Sequence, residues 1–410
     1  MSFINEMKER GLVAQITFED EFVAHLASGV RTAYIGFDPT AKSLHAGSLL
    51  QLMTLKRWQL FGHRAILVAG GGTAIVGDPS GKSDMRQMLS TEKIQTNVSA
   101  IASQLKKIID FSSDDKAILL NNADWLSKIN YLDLLRDLGR YFSVNRMLSA
   151  ECFKQRWEKG LTFLEFNYMI LQSYDFLHLN KNFNCSVQMG GDDQWSNILA
   201  GVDLIRRTSQ AKAFCLTTPL LTTSDGKKMG KTEKGAVWLD AELTSPYEYY
   251  QFWRSVEDGV VDLSLRAFTF LPMQEVNRLK LLQGSEINEA KKLLAYECTR
   301  ILHGEDAARS AELTAANLFS GILAESGTEP CFEISREIIA QKKAVVDILV
   351  DLGIFSSKGE ARRLIEQGGI SINDLKISDP KVVFDLAVFS GKNNLVIKKG
   401  KKNFYRIVLK

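Results

Sequence analysis

Thr32-Ala33-Tyr34-Ile35-Gly36-Phe37 is a short β-branched and aromatic run that stops at Asp38-Pro39-Thr40, because proline has no N–H with which to continue a ladder. Beyond it, Leu49-Leu50-Gln51-Leu52-Met53-Thr54-Leu55 opens a helix and Arg64-Ala65-Ile66-Leu67-Val68-Ala69 reads as a buried strand. Strand, loop, helix, strand is the rhythm of a parallel α/β sheet. Ligands in such sheets lie beyond the carboxyl ends of the strands, where loops and helix N-termini converge.

Working outward, residues 1–29 read as helical, with Phe22, Val23 and Leu26 periodic. Helical patterns also cover 92–110, 131–149 and 161–180, and the strand-like Cys185-Ser186-Val187-Gln188-Met189 ends in Gly190-Gly191-Asp192-Asp193. Residues 219–235 break the pattern with Pro219, Gly226, Gly230, Gly235 and several lysines, the profile of a mobile surface loop. The chain is again helical from about 246 to 320, and a linker at Glu325–Pro330 precedes the last domain.

The chain has 410 residues, 45% apolar and 24% charged, a composition that excludes a disordered protein and suggests two or three domains. Its net charge of +3 hides an asymmetry. Residues 341–410 carry 14 Lys/Arg against 7 Asp/Glu, a net of +7, which leaves 37 basic and 41 acidic side chains, a net of −4, in residues 1–340. From Asn393 to Lys410 there is no acid, and Lys398, Lys399, Lys401, Lys402, Arg406 and Lys410 are interleaved with Phe404 and Tyr405. Such a run is either a solvated surface or a polyanion-binding face, with nucleic acid ahead of membrane because no amphipathic helix accompanies it.

Five scattered cysteines without a C-x-x-C pair argue for a reducing compartment and against a disulfide framework or zinc site. The N-terminus lacks the apolar core of a signal peptide, and the longest apolar stretch, near Ile66–Val76, is broken by Gly70, Gly71 and Gly72. The expectation is a cytoplasmic protein with no membrane role.

Three segments carry chemistry. Leu44-His45-Ala46-Gly47-Ser48 stands at a helix start, where unpaired N–H groups suit phosphate and Gly47 permits close approach. Gly77-Asp78-Pro79-Ser80-Gly81-Lys82-Ser83 is no P-loop, because only three residues separate its glycines, yet Lys82 and Arg86 could face phosphate by another geometry. Asp225-Gly226-Lys227-Lys228-Met229-Gly230-Lys231-Thr232 places lysines on a glycine-flexible loop, able to swing onto a triphosphate or simply to be solvated.

Together the first and third segments resemble the two signatures of class I aminoacyl-tRNA synthetases, usually written His-Ile-Gly-His and Lys-Met-Ser-Lys-Ser. Tyr34–Thr40, Gly77–Ser83, Tyr168-Met169-Ile170-Leu171-Gln172-Ser173-Tyr174-Asp175-Phe176 and Gln188–Trp195 narrow the likeness to the bacterial tyrosyl family, over essentially the whole chain. Ala344–Val350 with Lys358–Asn373 resembles a small RNA-binding domain that this family carries at its end. Two positions depart from the pattern: Ser48 replaces the second signature histidine, and Gly230 and Thr232 replace serines.

The resemblance implies an α/β fold with a Rossmann-like parallel-sheet catalytic domain at 1–218 and a lysine-rich signature loop at 219–245. An α-helical domain at 246–320, a linker at 321–334 and a small α+β RNA-binding domain at 335–410 would follow. It implies a ligase that joins tyrosine to tRNA(Tyr) with ATP as substrate, Mg2+ accompanying ATP without a dedicated protein metal site, and a homodimer. A tryptophanyl relative, or an RNA-binding protein with a decayed site, are the alternatives. By the same resemblance Thr40, His45, Lys82, Arg86, Lys228, Lys231 and Thr232 would serve the phosphates. Tyr34 and Asp175 would bind the tyrosine hydroxyl, Asp78, Tyr168 and Gln172 its ammonium, and Gln194 its carboxylate. Gly36, Asp38, Gly47, Ser48, Gly191 and Asp193 would line the ATP site. The helical and C-terminal domains would hold tRNA.

Overall fold

The computed structural model describes residues 2–80, 89–157, 159–222, 231–232, 235–319, 330–373, 375–389, 393–400 and 403–410. Six strands form the main sheet: β1 (Gln15–Ile16), β2 (Thr32–Phe37), β3 (Arg64–Ala69), β4 (Ala117–Asn121), β5 (Cys185–Gly191) and β6 (Phe214–Thr218). Their order is β1-β6-β5-β2-β3-β4. The β6–β5–β2–β3–β4 pairs are parallel and only β1 runs antiparallel, the doubly wound arrangement expected from the sequence. β3 is a near-continuous apolar run and β5 is buried at every position, because a parallel sheet is covered on both faces.

The strand order reverses between β2 and β5, paired at Tyr34↔Gln188, and the carboxyl ends of these two strands therefore open a crevice. The helix Ala46–Leu60 starts there. At its far end Arg57, 1% exposed, donates to the carbonyls of Arg266, Ala267 and Thr269 at 3.0 Å or less. Those are the orphan acceptors that end the helix Val261–Phe268.

Several elements are shorter than the periodicity predicts. The helical stretch at 131–149 is the helix Tyr131–Asp137, a turn at Gly139–Tyr141 and the helix Val144–Leu148, interrupted where Gly139 and Ser143 favour turns. Residues 1–29 hold two helices, Phe3–Glu9 and Glu19–Ala27, with β1 between them.

The chain divides into two compact units: residues 1–240 with 257–290, and residues 241–256 with 291–410. The helical stretch 246–320 is thus shared between them. In the second unit, five strands run in the order Leu375–Ile377, Ile370–Ile372, Asn394–Lys399, Asn403–Leu409 and Cys331–Ile334. Cys331–Ile334 pairs in parallel with Arg406–Leu409, so residues expected in the linker form an edge of this sheet; residues 320–329 lie outside the described ones.

Its core is built from residues such as Ile348, Leu349, Ile365, Ile370, Ile397 and Ile407. Phe404 and Tyr405 are 5% and 8% exposed: Tyr405 joins the core and Phe404 lies on the other face, 5.3 Å beneath the Lys398 ammonium, so neither offers an open ring face to bases. Lys399 is also turned in. It lies 3.6 Å over the Phe355 ring and donates to Glu360 Oε1 at 2.8 Å and the Ile354 carbonyl at 3.0 Å. Alternation along Asn394–Lys399 puts Ile397 and Lys399 on the same inward face.

Candidate active site

One cavity of about 360 Å³ lies at the carboxyl ends of β2, β3 and β5. Fourteen of the residues singled out in the sequence meet there. Tyr34, Gly36, Asp38 and Thr40 come from β2 and its following loop, and His45, Gly47 and Ser48 from the start of the helix Ala46–Leu60. Asp78 enters from the loop after β3, and Tyr168, Gln172 and Asp175 from the helix Tyr168–Phe183. Gly191, Asp193 and Gln194 complete it at the end of β5. Lys82, Arg86 and Lys228 fall outside the described residues. For Lys231 and Thr232 only the backbone is described, paired as a short hairpin with Gly235–Ala236.

The deep end is made by Asp175 and Tyr34, 4% and 2% exposed. Asp175 Oδ2 accepts from Asn122 Nδ2 at 2.9 Å and Oδ1 from Trp125 Nε1 at 2.7 Å. Burial pushes the Asp175 carboxyl up to about 7, against the pull of these two donors and with a further push from Asp38. Tyr34 Oη is buried without a hydrogen-bond partner, an arrangement that costs free energy until a ligand completes it. Desolvation and Asp175 hold its phenol far above the ordinary tyrosine range, so it is a hydroxyl donor. Gln172 Oε1 and Gln188 Oε1 are likewise unpartnered at the cavity wall.

The sequence reading missed Asn122 and Trp125. They follow β4, a strand it also missed, and the only signal was a short apolar run closed by Asn121-Asn122.

Midway up the cavity, Asp38 accepts from Thr73 Oγ1 at 2.9 Å and Tyr168 Oη at 3.1 Å. Asp78 accepts from the Ser80 amide and Gln194 Nε2, both at 2.9 Å. Gly70 is required here: a Cβ would fall 2.2 Å from Asp38 Oδ1. The fixed carboxylates suit an ammonium group. At the mouth, His45 Nδ1 accepts from the Gly47 amide at 3.0 Å as the N-cap of its helix. In the neutral imidazole the proton therefore sits on Nε2, and His45 presents a donor edge beside a helix N-terminus, a setting for phosphate. A Cβ on Gly191 would meet Asp193 Oδ1 at 2.9 Å and Leu220 at 3.2 Å, so the wall there is bare backbone.

The family of class I tRNA synthetases of the W and Y type matches residues 28–320, and the C-terminal domain of tyrosine–tRNA ligases matches 330–407. A tyrosine–tRNA ligase of Clostridium botulinum is 54% identical over 403 residues, covering 98% of each chain, and one of Clostridium kluyveri is 55% identical over the same length. Among solved structures, a C-terminally truncated mitochondrial tyrosyl-tRNA synthetase of Aspergillus nidulans aligns with a TM-score of 0.68 at 32% identity, over 77% of this chain and 94% of its own. The tyrosyl-tRNA synthetase of Archaeoglobus fulgidus shares the fold at a TM-score of 0.57 and 15% identity, over 76% of this chain and 100% of its own.

Proposed function

The chain belongs to the class I tRNA synthetases, on their tyrosyl side, and from that premise we propose which of its residues carry each step. It activates L-tyrosine with ATP to tyrosyl-adenylate, releasing pyrophosphate, and transfers the tyrosyl group to the 3′ end of tRNA(Tyr). The observation that carries the residue assignment is the deep end of the cavity. There a hydroxyl without a partner faces the same space as a carboxylate held by two donors, the complement of a phenol that both donates and accepts. An indole N–H only donates and would leave the Tyr34 O–H proton without an acceptor.

With its phenol seated there, the amino acid places its ammonium among Asp78, Tyr168 and Gln172 and its carboxylate toward Gln194. The carboxylate is ionised at neutral pH and needs no general base. It attacks the α-phosphorus of ATP, the bond to the bridging oxygen breaks, and pyrophosphate leaves. Thr40 and His45 stabilise the leaving phosphates together with Lys82, Arg86, Lys228, Lys231 and Thr232, while Asp193 holds the ribose beside Gly47, Ser48 and Gly191. Mg2+ enters with ATP as part of the substrate. Among the described residues no cluster of three or more His, Cys, Asp or Glu could hold a metal.

We also propose a homodimer. Tyr131, Leu132, Leu135, Val144, Trp157, Phe163 and Leu164 are exposed apolar residues within one stretch of 34 residues of the first unit, the kind of surface a subunit interface would cover. Sedimentation should give twice the 45.9 kDa chain mass, and a monomer at micromolar concentration would refute this. A C-terminal RNA-binding domain that starts at Cys331 rather than at 335 and a cytoplasmic location complete the proposal; no described helix is long and apolar enough to cross a membrane.

The test of the activity is ATP–pyrophosphate exchange with each amino acid in turn. Tyrosine alone should support it. Exchange with tryptophan instead would refute the reading. A second check uses pH. A phenol donates far more strongly to an ionised Asp175 than to a protonated one, and burial pushes this carboxyl up to about 7. Below that, tyrosine must expel a proton, so affinity should fall roughly tenfold between pH 8 and pH 6. A flat profile in equilibrium dialysis would remove Asp175 from the phenol site.

A further inference from the structure

The two signature segments are joined by backbone. Ala46 N–H donates to the Val237 carbonyl and Leu239 N–H to the Leu44 carbonyl, both at 2.8 Å, and His45 pairs antiparallel with Trp238. Residue 237 directly follows Gly235–Ala236, whose partners are Lys231–Thr232. Lys231 is thus linked to His45 through the segment 235–239, which pairs with Lys231–Thr232 at one end and bridges to His45 at Trp238. This junction leans on one side chain. Gln104, 2% exposed, accepts from Leu44 N–H at 2.9 Å and the Ser43 hydroxyl at 3.1 Å, and donates to the Lys42 carbonyl at 3.2 Å. The Ser43 oxygen accepts from Asp240 N–H at 3.2 Å, which closes the circuit onto the strand that leads back to Lys231.

Seven residues earlier on the helix Thr91–Leu105, fully buried Asn97 donates to the Pro39 carbonyl at 2.8 Å. A spacing of seven puts both amides on one helix face. That face supports the loop from Pro39 to Leu44, with Thr40 inside it and His45 at its end. Neither amide lines the cavity.

We propose that Gln104, seconded by Asn97, is a positioning residue for tyrosine activation. It fixes the junction of the two signatures so that Thr40, His45 and Lys231 reach the phosphates in register. The inference rests on the reading of this cavity as the site of tyrosine activation. Small displacements of charge-stabilising donors are felt in the transition state more than in ground-state binding.

The amide is replaced by an apolar chain of similar length, Gln104→Met, in the full chain. Pyrophosphate-exchange kcat/KM for ATP should fall at least tenfold, while the tyrosine dissociation constant measured without ATP stays within twofold. Unchanged exchange, or an equal loss in both quantities, would overturn the proposal. Should that variant not fold, Ser43→Ala keeps the amide and removes the hydroxyl that joins it to Asp240 and that also reaches the Leu44 carbonyl. It should show the same split at about threefold to tenfold, and an unaltered kcat/KM for ATP would count against the proposal equally. If the underlying reading failed, the unmodified protein would give no exchange with tyrosine, a result distinct from either.

Discussion

Asp175→Asn should lower kcat/KM for tyrosine in pyrophosphate exchange by roughly 10³-fold, with the ATP KM at saturating tyrosine within about threefold. Each Asp175 oxygen already accepts a donor, Asn122 Nδ2 on one and Trp125 Nε1 on the other. An asparagine has one acceptor, so its NH2 would face one of those donors in a buried site. The ligand hydroxyl also exchanges a charged acceptor for a neutral one. A charge-assisted hydrogen bond of about 1.5–3 kcal/mol, plus about 1–3 kcal/mol where the ligand hydroxyl is buried without an acceptor, corresponds to roughly 10³-fold at 1.4 kcal/mol per tenfold. Phenylalanine never supplies the hydroxyl, so its kcat/KM should change by less than about tenfold and the preference for tyrosine should collapse. If tyrosine and phenylalanine lost activity in equal proportion, Asp175 would be supporting the fold rather than reading the phenol.

How much of this was legible beforehand depends on distance along the chain. Thr32–Phe37 and Arg64–Ala69 form strands with the predicted limits, since a β-branched run bounded by proline or glycine is a local signal. β4 was not, because Ala117-Ile118-Leu119-Leu120 is too short for any periodicity to separate strand from helix. The miss mattered for the site, because β4 delivers Asn122 and Trp125 to a carboxylate about 50 residues away. Asp175 itself was found only through a flanking string. Its pairing could not be, since an amide and an indole that act through a carboxylate leave no spacing rule in one sequence.

The charge pattern was also legible only in part. Counting placed +7 in the last 70 residues, but counting cannot say which cations face water. Lys399 is spent on Glu360 and Phe355, and Lys358 and Lys410 pair with Asp347 and Glu333. On the proposed reading, attraction for RNA rests, among the described residues, on fewer cations than the count suggests, with Lys398 and Arg406 partly exposed.

Ending the chain after residue 329 should leave tyrosine activation within about twofold and reduce tRNA charging at least 100-fold. The cavity is lined by residues 34–268 only, and among the described residues the core of the small sheet draws on no side chain before Phe332. Removal thus takes away a self-contained core. A cut at 335, where the sequence placed the boundary, would instead strand Cys331–Ile334 without its partner Arg406–Leu409 and expose Phe332 and Ile334 as an unpaired apolar edge. Losses from that variant would mix aggregation with lost tRNA contact. In the intact protein each phosphate contact made by this domain adds about 0.7–0.9 to the slope of log affinity against log salt. Truncation should therefore flatten the salt dependence of tRNA binding as well as weaken it. A steep slope that survived the cut would move the main phosphate contacts out of the C-terminal sheet and onto the remaining 329 residues.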